Sequence, residues 1–326
     1  MTELLQQLIN GLALGAIYAL IALGYTMVYG VLRFINFAHS DVFMVGAFSG
    51  YFLSRYVPHE SVAGAVFVLL GSMIICAVLG VVIEKLAYRP LRGRSTLTAL
   101  ITAIGVSLLL QNLGQRLFGA NPRSFPALFP QRQFTFEGGL VISSGQIMVF
   151  AVTLLLLFAL RHIVLKTRIG TAMRALSFNP VAASLVGVNN DRVISFTFAL
   201  GSALATAGGI LYATNYPSID PLMGTLPGMK AFVAAVLGGI GNIAGAVLGG
   251  ILMGLIESLG AGYVGDFTNV CMLDAFLPGF SAVCEASPNS SLFGSNYKDV
   301  YAFIVLILVL VFRPQGLLGE RVGDRA

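Results

Sequence analysis

Charge is scarce in this chain. Charged residues make up 10% of its 326 positions, tryptophan is absent, and cysteine and histidine occur three times each. A soluble domain carries about 25% charged residues, so a water-facing surface cannot be built from most of this sequence. Hydrophobic residues make up 57%, and runs such as 97–113, 147–160 and 301–312 are tolerable only in lipid. A spanning helix needs about 20 largely apolar residues to cross about 30 Å of hydrocarbon. The fold class is therefore an all-α polytopic membrane protein, with about eight or more transmembrane or re-entrant helices.

Other absences narrow the function. No basic residue precedes Arg33, so the first apolar run is expected to be retained as a helix and not cleaved as a secretory signal. Without tryptophan, tyrosines such as Tyr25, Tyr29, Tyr51, Tyr56 and Tyr88 are left to mark span ends and bends. The net charge of +5 comes with no basic stripe interleaved with aromatics, which excludes a nucleic-acid reader. No G-x-x-x-x-G-K-[ST] loop is present, so no nucleotide site of that kind exists here. No Ser/His/Asp set or carboxylate pair suits a hydrolase, and no metal site is expected. Acids at membrane depth are few (Asp41, Glu257), which weakens a self-sufficient ion-coupled carrier.

The charges that remain lie between the apolar runs. Spans are expected at 8–31, 41–57, 61–83, 96–118, 141–160, 193–213 and 299–312. Glu84, Lys85, Arg89, Arg92 and Arg94 form a basic patch after the third span, and 161–192 is the longest basic stretch. Both belong on the cytoplasmic side. The proline-rich stretches 119–140 and 214–228 read as external loops. Residues 229–262 must then cross an even number of times or re-enter, or the tail with Arg313, Arg321 and Arg325 falls outside. Gly238, Gly239, Gly241 and Gly245 supply the break, because glycine tolerates the backbone angles of a tight turn. A second interruption lies at 33–41; whether it re-enters decides the side of the amino terminus, which the sequence leaves open. Two interrupted regions are consistent with a duplicated architecture whose broken helices line a pathway.

Cys76 sits in an apolar run as packing. Cys271 and Cys284 flank a polar loop without Lys or Arg, a pattern that suggests a disulfide in an oxidising compartment such as a periplasm; two free thiols are the alternative. Asn36, His39 and Asp41 are candidates for the translocation path or its gate, the alternative being that Asn36 and Asp41 cap broken helices with His39 bonded between them. Lys230 is expected to snorkel to an interface, and Glu257 to make a polar packing contact, the alternative being a residue that lines the path.

Residues 24–48 (GYTMVYGVLRFINFAHSDVFMVGAF) closely resemble the signature of the LivH-type permease subunit of bacterial branched-chain amino-acid ABC transporters. The resemblance continues at 84–92 (EKLAYRPLR), 170–175 (GTAMRA), 179–187 (NPVAASLVG), 228–241 (GMKAFVAAVLGGIG) and 313–319 (RPQGLLG), nearly the whole chain. Two departures stand out. Ser40-Asp41 replaces the family's usual Gly-Glu, and the external loop at 263–298 is longer than the family leads one to expect. The resemblance implies one permease domain over 1–326 in a bacterial inner membrane. It would import a branched-chain or similar small amino acid, and would bind no cofactor of its own. Its implied partners are a paralogous second permease, two cytoplasmic ATPase subunits that hold the ATP, and a periplasmic substrate-binding protein. Importers of urea or short amides share the family and form the alternative. The family's ATPase-coupling element matches 170–187, with Gly170, Arg174, Asn179, Pro180, Ala182, Ala183, Leu185 and Gly187. Asn179-Pro180 can start a helix there. Val181, Ala182, Ala183, Leu185 and Val186 would offer an apolar surface, and Arg174 would be available to an acidic partner residue.

Overall fold

The computed structural model describes residues 2–58, 60–136, 139–264 and 297–319. Cys271 and Cys284 lie outside the described residues, as does nearly all of the 263–298 loop. The helices are α1 (Thr2–Leu32), α2 (His39–Leu53), α3 (Val62–Ile83), α4 (Thr96–Phe118), α5 (Ser144–Lys166), α6 (Arg168–Phe178), α7 (Pro180–Leu185), α8 (Asn190–Asn215), α9 (Thr225–Gly238), α10 (Ile243–Leu259) and α11 (Lys298–Phe312). A π-helical turn (Glu84–Tyr88) extends α3. Among the described residues, six helices are long and apolar enough to cross a membrane.

Small and apolar residues decide which helices form the centre. The apolar stretch of α1 is 89% buried and that of α8 78%, whereas that of α4 is 17% buried. Helices α3, α4 and α5 instead turn leucine, isoleucine, valine and phenylalanine outward, Ile74, Leu109 and Phe158 among them. Such a surface is stable only against lipid or another membrane subunit. The α1–α10 crossing shows why the small residues are needed. A Cβ on Gly254 would sit 2.2 Å from the Gly15 nitrogen, and one on Gly250 2.5 Å from the Ala19 nitrogen. Backbones this close gain van der Waals packing, a main basis of association between apolar helices in lipid, and the Tyr18–Glu257 and Ser258–Gln7 hydrogen bonds add to it.

The orientation follows from these contacts. Gln146 at the start of α5 donates to Asn10 of α1 (2.8 Å), while Arg33 just past α1 donates to the Ser177 carbonyl in α6 (3.2 Å). The amino-terminal end of α1 therefore lies opposite the α6–α7 segment. Lys85, Arg89, Arg92, Arg161, Lys166, Arg168, Arg174 and Arg192 gather at the α6–α7 end, which the positive-inside rule makes cytoplasmic. The amino terminus is then external, the question the sequence left open. Strands β1 (Arg123–Ser124) and β4 (Ser218–Ile219) pair antiparallel at the external end and tie the two expected external loops together, while β2 (Gln133–Thr135) and β3 (Val141–Ser143) pair antiparallel just before α5.

Both interruptions are real breaks. Helices α2 and α9 contain 15 and 14 residues, so each spans only about 22 Å at a rise of roughly 1.5 Å per residue. They start beside each other: a Cβ on Gly228 would lie 2.2 Å from the Ser40 Cβ. From there α2 runs outward, where Phe48 stacks on Phe118 of α4 with ring centroids 4.5 Å apart. Helix α9 runs to the cytoplasmic end and turns at Gly239 (φ 104°) and Gly241 (φ 95°). Asn242 caps α10 by accepting from the Gly245 amide, so the short α9 and the longer α10 form the opposed pair, one of them a part-helix, that the charge pattern allowed. The carbonyls freed by the break are not left bare. Leu317 and Leu318 of the tail donate to the Leu237 and Gly238 carbonyls (2.9 and 3.0 Å), and Asn242 donates to the Leu318 carbonyl (2.9 Å).

Candidate functional site

The α1–α2 break places Asn36, His39 and Asp41 on one short segment but aims them at three different helices. Asn36 Oδ1 accepts from Tyr88 in the π-turn (2.5 Å) and from the Ala38 amide (3.2 Å). His39 Nε2 sits 3.2 Å from the Ile21 carbonyl of α1, with its ring edge-on to Tyr25. Asp41 Oδ1 accepts from Gln111 of α4 (3.0 Å), and its Oδ2 has no partner. All three are buried, and none lines either of the two clefts at the outer and cytoplasmic ends of the bundle. Asn36 bonds the Ala38 amide in the turn before α2, and no side chain caps that helix. His39 and Asp41 join α2 to α1 and α4, so Asp41 does not cap a helix end and His39 is not bonded between Asn36 and Asp41 as the alternative supposed. The His39 pocket has no slack, since a Cβ on Gly24 would fall 2.2 Å from His39 Nε2. Gly24→Ala is expected to displace the imidazole and destabilise the protein by about 1–3 kcal/mol, the usual cost of overpacking. Thermal unfolding in detergent measures this, and an unchanged midpoint would contradict the packing described.

The outer end carries a different set. Lys230 does not snorkel: it is 5% exposed and donates to Glu257 (2.7 Å), with Asp299 at 2.5 Å. Tyr18 donates to the other Glu257 oxygen (2.8 Å). The expectation failed because Lys230 lies on α9 facing α10, where a carboxylate meets it before water does. Glu257 thus makes an interhelical ion pair, where a polar packing contact was the reading favoured from sequence. Glu257 also borders an outward cleft of about 400 Å³. Gln7, Asn10, Gln146, Asn215 and Lys298 complete its polar wall. Sequence reasoning missed this mouth, because its residues come from five helices far apart in the chain.

At the cytoplasmic end α6 and α7 form a bracket. Thr167 caps α6 by accepting from the Gly170 amide (3.2 Å). Gly170 is required because a Cβ there would lie 2.2 Å from the Ile163 carbonyl oxygen. Asn179 Oδ1 accepts from the Val181 and Ala182 amides (2.9 and 3.0 Å), with Pro180 in the first turn. Gly187 (φ 87°) ends α7, and Asn190 donates back to the Pro180 carbonyl (3.0 Å). Two expectations need correction. Arg174 folds back onto the Val164 carbonyl of α5 rather than reaching outward. Ala183 is buried, at 3% exposure, because it is the residue by which α7 rests on the bracket. The exposed apolar surface is Phe178, Val181, Leu185 and Val186, each 69–83% exposed. Phe178 was not singled out from the sequence, although it immediately precedes the capping asparagine.

The base of this bracket is held by charge. Asp191, in the first turn of α8, pairs with Arg89 and Arg92, and Arg92 also pairs with the fully buried Glu84. Ser195 donates to the second Glu84 oxygen (2.6 Å). Burial pulls the Arg92 guanidinium below the usual arginine range, and the neighbouring Glu84 opposes that pull.

A bundle with central broken helices, a polar outer mouth and an exposed apolar bracket at the basic end defines a multi-pass membrane protein of the permease class. The chain matches the family described as the permease component of the branched-chain amino acid transport system over residues 7–310. It is 41% identical over 324 residues to the high-affinity branched-chain amino acid transport system permease protein BraD of Pseudomonas aeruginosa, covering 97% of this chain and 96% of that one. It is 38% identical over 323 residues to the Escherichia coli K12 permease protein LivH of the same description, with the same coverage. A probable branched-chain amino acid permease of Methanocaldococcus jannaschii is 28% identical over 316 residues, covering 92% and 88% of the two chains. The chain belongs to the branched-chain amino acid transport permease family.

Proposed function

We propose that this chain is the inner-membrane permease subunit of an ATP-driven importer for a branched-chain or similarly small amino acid, with residues 1–326 forming one membrane domain. The reading rests on the family and on one observation above all. Phe178, Val181, Leu185 and Val186 stand exposed on a capped, glycine-terminated bracket at the basic end, outside the lipid and uncovered among the described residues. An apolar knob of this kind suits a groove on a separate cytoplasmic subunit. Two ATPase subunits would dock there, each on one permease, this chain and a paralogous partner. Their closure would tilt the helices and alternate access between the two sides. ATP is held by those subunits, and the chain needs no cofactor. A periplasmic binding protein would deliver the amino acid to the external end, where the amide-rich mouth beside Glu257 receives it. The α1–α2 segment with Asn36, His39 and Asp41 would act as the gate, because it is the junction where α1, α2, α3 and α4 are tied together.

Reconstitution tests this. In proteoliposomes the chain alone should not concentrate leucine, whether given ATP or an ion gradient. With the second permease, the ATPase subunits and the binding protein, uptake should follow ATP and be blocked by vanadate. Accumulation by the chain alone under an ion gradient would refute the proposal.

A further inference from the structure

A second cleft, also about 400 Å³, opens at the cytoplasmic ends of α3 and α8. Its polar wall is Lys85, Arg89, Asn189, Asp191, Arg192 and Ser195. The charges there do not cancel. Glu84 is matched by Arg92, and Asp191 by Arg89 with a second contact to Arg92. Lys85 and Arg192 remain, and neither side chain has an ion-pair or hydrogen-bond partner among the described residues. Two unmatched cations in one concave site call for an anion.

The surface beside the cleft identifies the kind of anion. Val78, Val82 and Leu86 are 59%, 43% and 76% exposed. They fall four residues apart, so they form one continuous row on the outer side of α3 and its π-turn. Lys85 lies next to the end of that row. Such a row is stable against an acyl chain, and it ends at the depth where a headgroup sits. A free anion in the cytoplasm gains nothing from an apolar track, whereas a phospholipid uses both parts. We infer that this cleft binds the phosphate of an anionic phospholipid headgroup, with Lys85 and Arg192 as its contacts and the 78–82–86 row against its acyl chain. Asn189 caps α8 directly after the link from α7, and Asp191 stands in its first turn, so the bound lipid sits at the root of the bracket proposed to meet the ATPase.

The test is native mass spectrometry of the detergent-purified full chain, titrated with phosphatidylglycerol, phosphatidylcholine or inorganic phosphate. Wild type should retain phosphatidylglycerol adducts and not phosphatidylcholine ones, and excess inorganic phosphate should displace them poorly. Lys85→Gln with Arg192→Gln should weaken phosphatidylglycerol binding about 30-fold, on the scale set by two basic contacts at a membrane surface. Both side chains are exposed, so the variant should elute and unfold like wild type. Arg116→Gln with Arg132→Gln, at the opposite end, should bind phosphatidylglycerol normally. Three results would overturn the inference: phosphatidylcholine retained equally well, the double variant unaffected, or inorganic phosphate displacing the lipid at equal concentration. The last would assign the cleft to a soluble anion. None of these readouts depends on transport.

Discussion

Lys230→Met is expected to destabilise the protein by about 3–5 kcal/mol, the cost of leaving a buried ion without its partner. Among the described residues Lys230 is the one cation within 3 Å of Glu257, and Glu257 is 4% exposed. Lys298 approaches the same oxygen only to 3.8 Å and stands half in solvent, so it does not substitute. Tyr18 would keep its bond to the other oxygen, but a hydroxyl cannot neutralise a carboxylate. Lys230→Met combined with Glu257→Gln should recover much of the loss, because the deeply buried uncompensated charge is then removed, while Asp299, 31% exposed, keeps contact with solvent. Unfolding monitored by circular dichroism in detergent reads both effects. A single variant as stable as wild type would mean that the ion pair does not join α9 to α10 in the membrane. The same pair closes one wall of the outer mouth, so leucine uptake by the assembled transporter should fall with stability.

The second large effect is at the other end. Leu185→Asp with Val186→Asp should leave folding within about 0.5 kcal/mol of wild type, as surface changes usually do. The same change should cut association with the ATPase subunits by roughly 30- to 1,000-fold, as expected for losing two to four kcal/mol from a docking centre. Co-purification of the ATPase subunits measures the association, and vesicle uptake measures its consequence. Normal co-purification with lost uptake would separate coupling from docking. Normal values of both would remove the bracket from the proposal. Ser184→Ala is a control on the same helix. Its hydroxyl donates to the Val181 carbonyl within α7, so neither readout should change.

Residue patterns made the helices legible. The apolar runs, the basic patches after α3 and α5, and the glycines at 238–245 gave the spans, the cytoplasmic end and the broken pair α9–α10. Each rests on local composition, since lipid excludes unpaired backbone and charge wherever the neighbours lie. The caps of α6 and α7 were readable for the same reason: Thr167 and Asn179 bond to amides two or three residues away. The gate candidates were legible as unusual residues in an apolar setting, but their partners were not. Tyr88, Ile21 and Gln111 lie 52, 18 and 70 positions from them.

By itself the sequence determined a multi-pass helical protein, its cytoplasmic end, two breaks and the family it resembles. Tertiary structure alone decided that Lys230 is buried against Glu257 and that the tail fills the α9–α10 break. It also placed Ala183 inward while Phe178 faces out, and set the amino terminus at the external end. The reason is physical. A helix or a turn is fixed by residues a few positions apart, whereas the direction a side chain faces depends on which distant backbone packs against it. In this chain that choice was made by close glycine contacts such as Gly15 with Gly254 and Gly228 with Ser40.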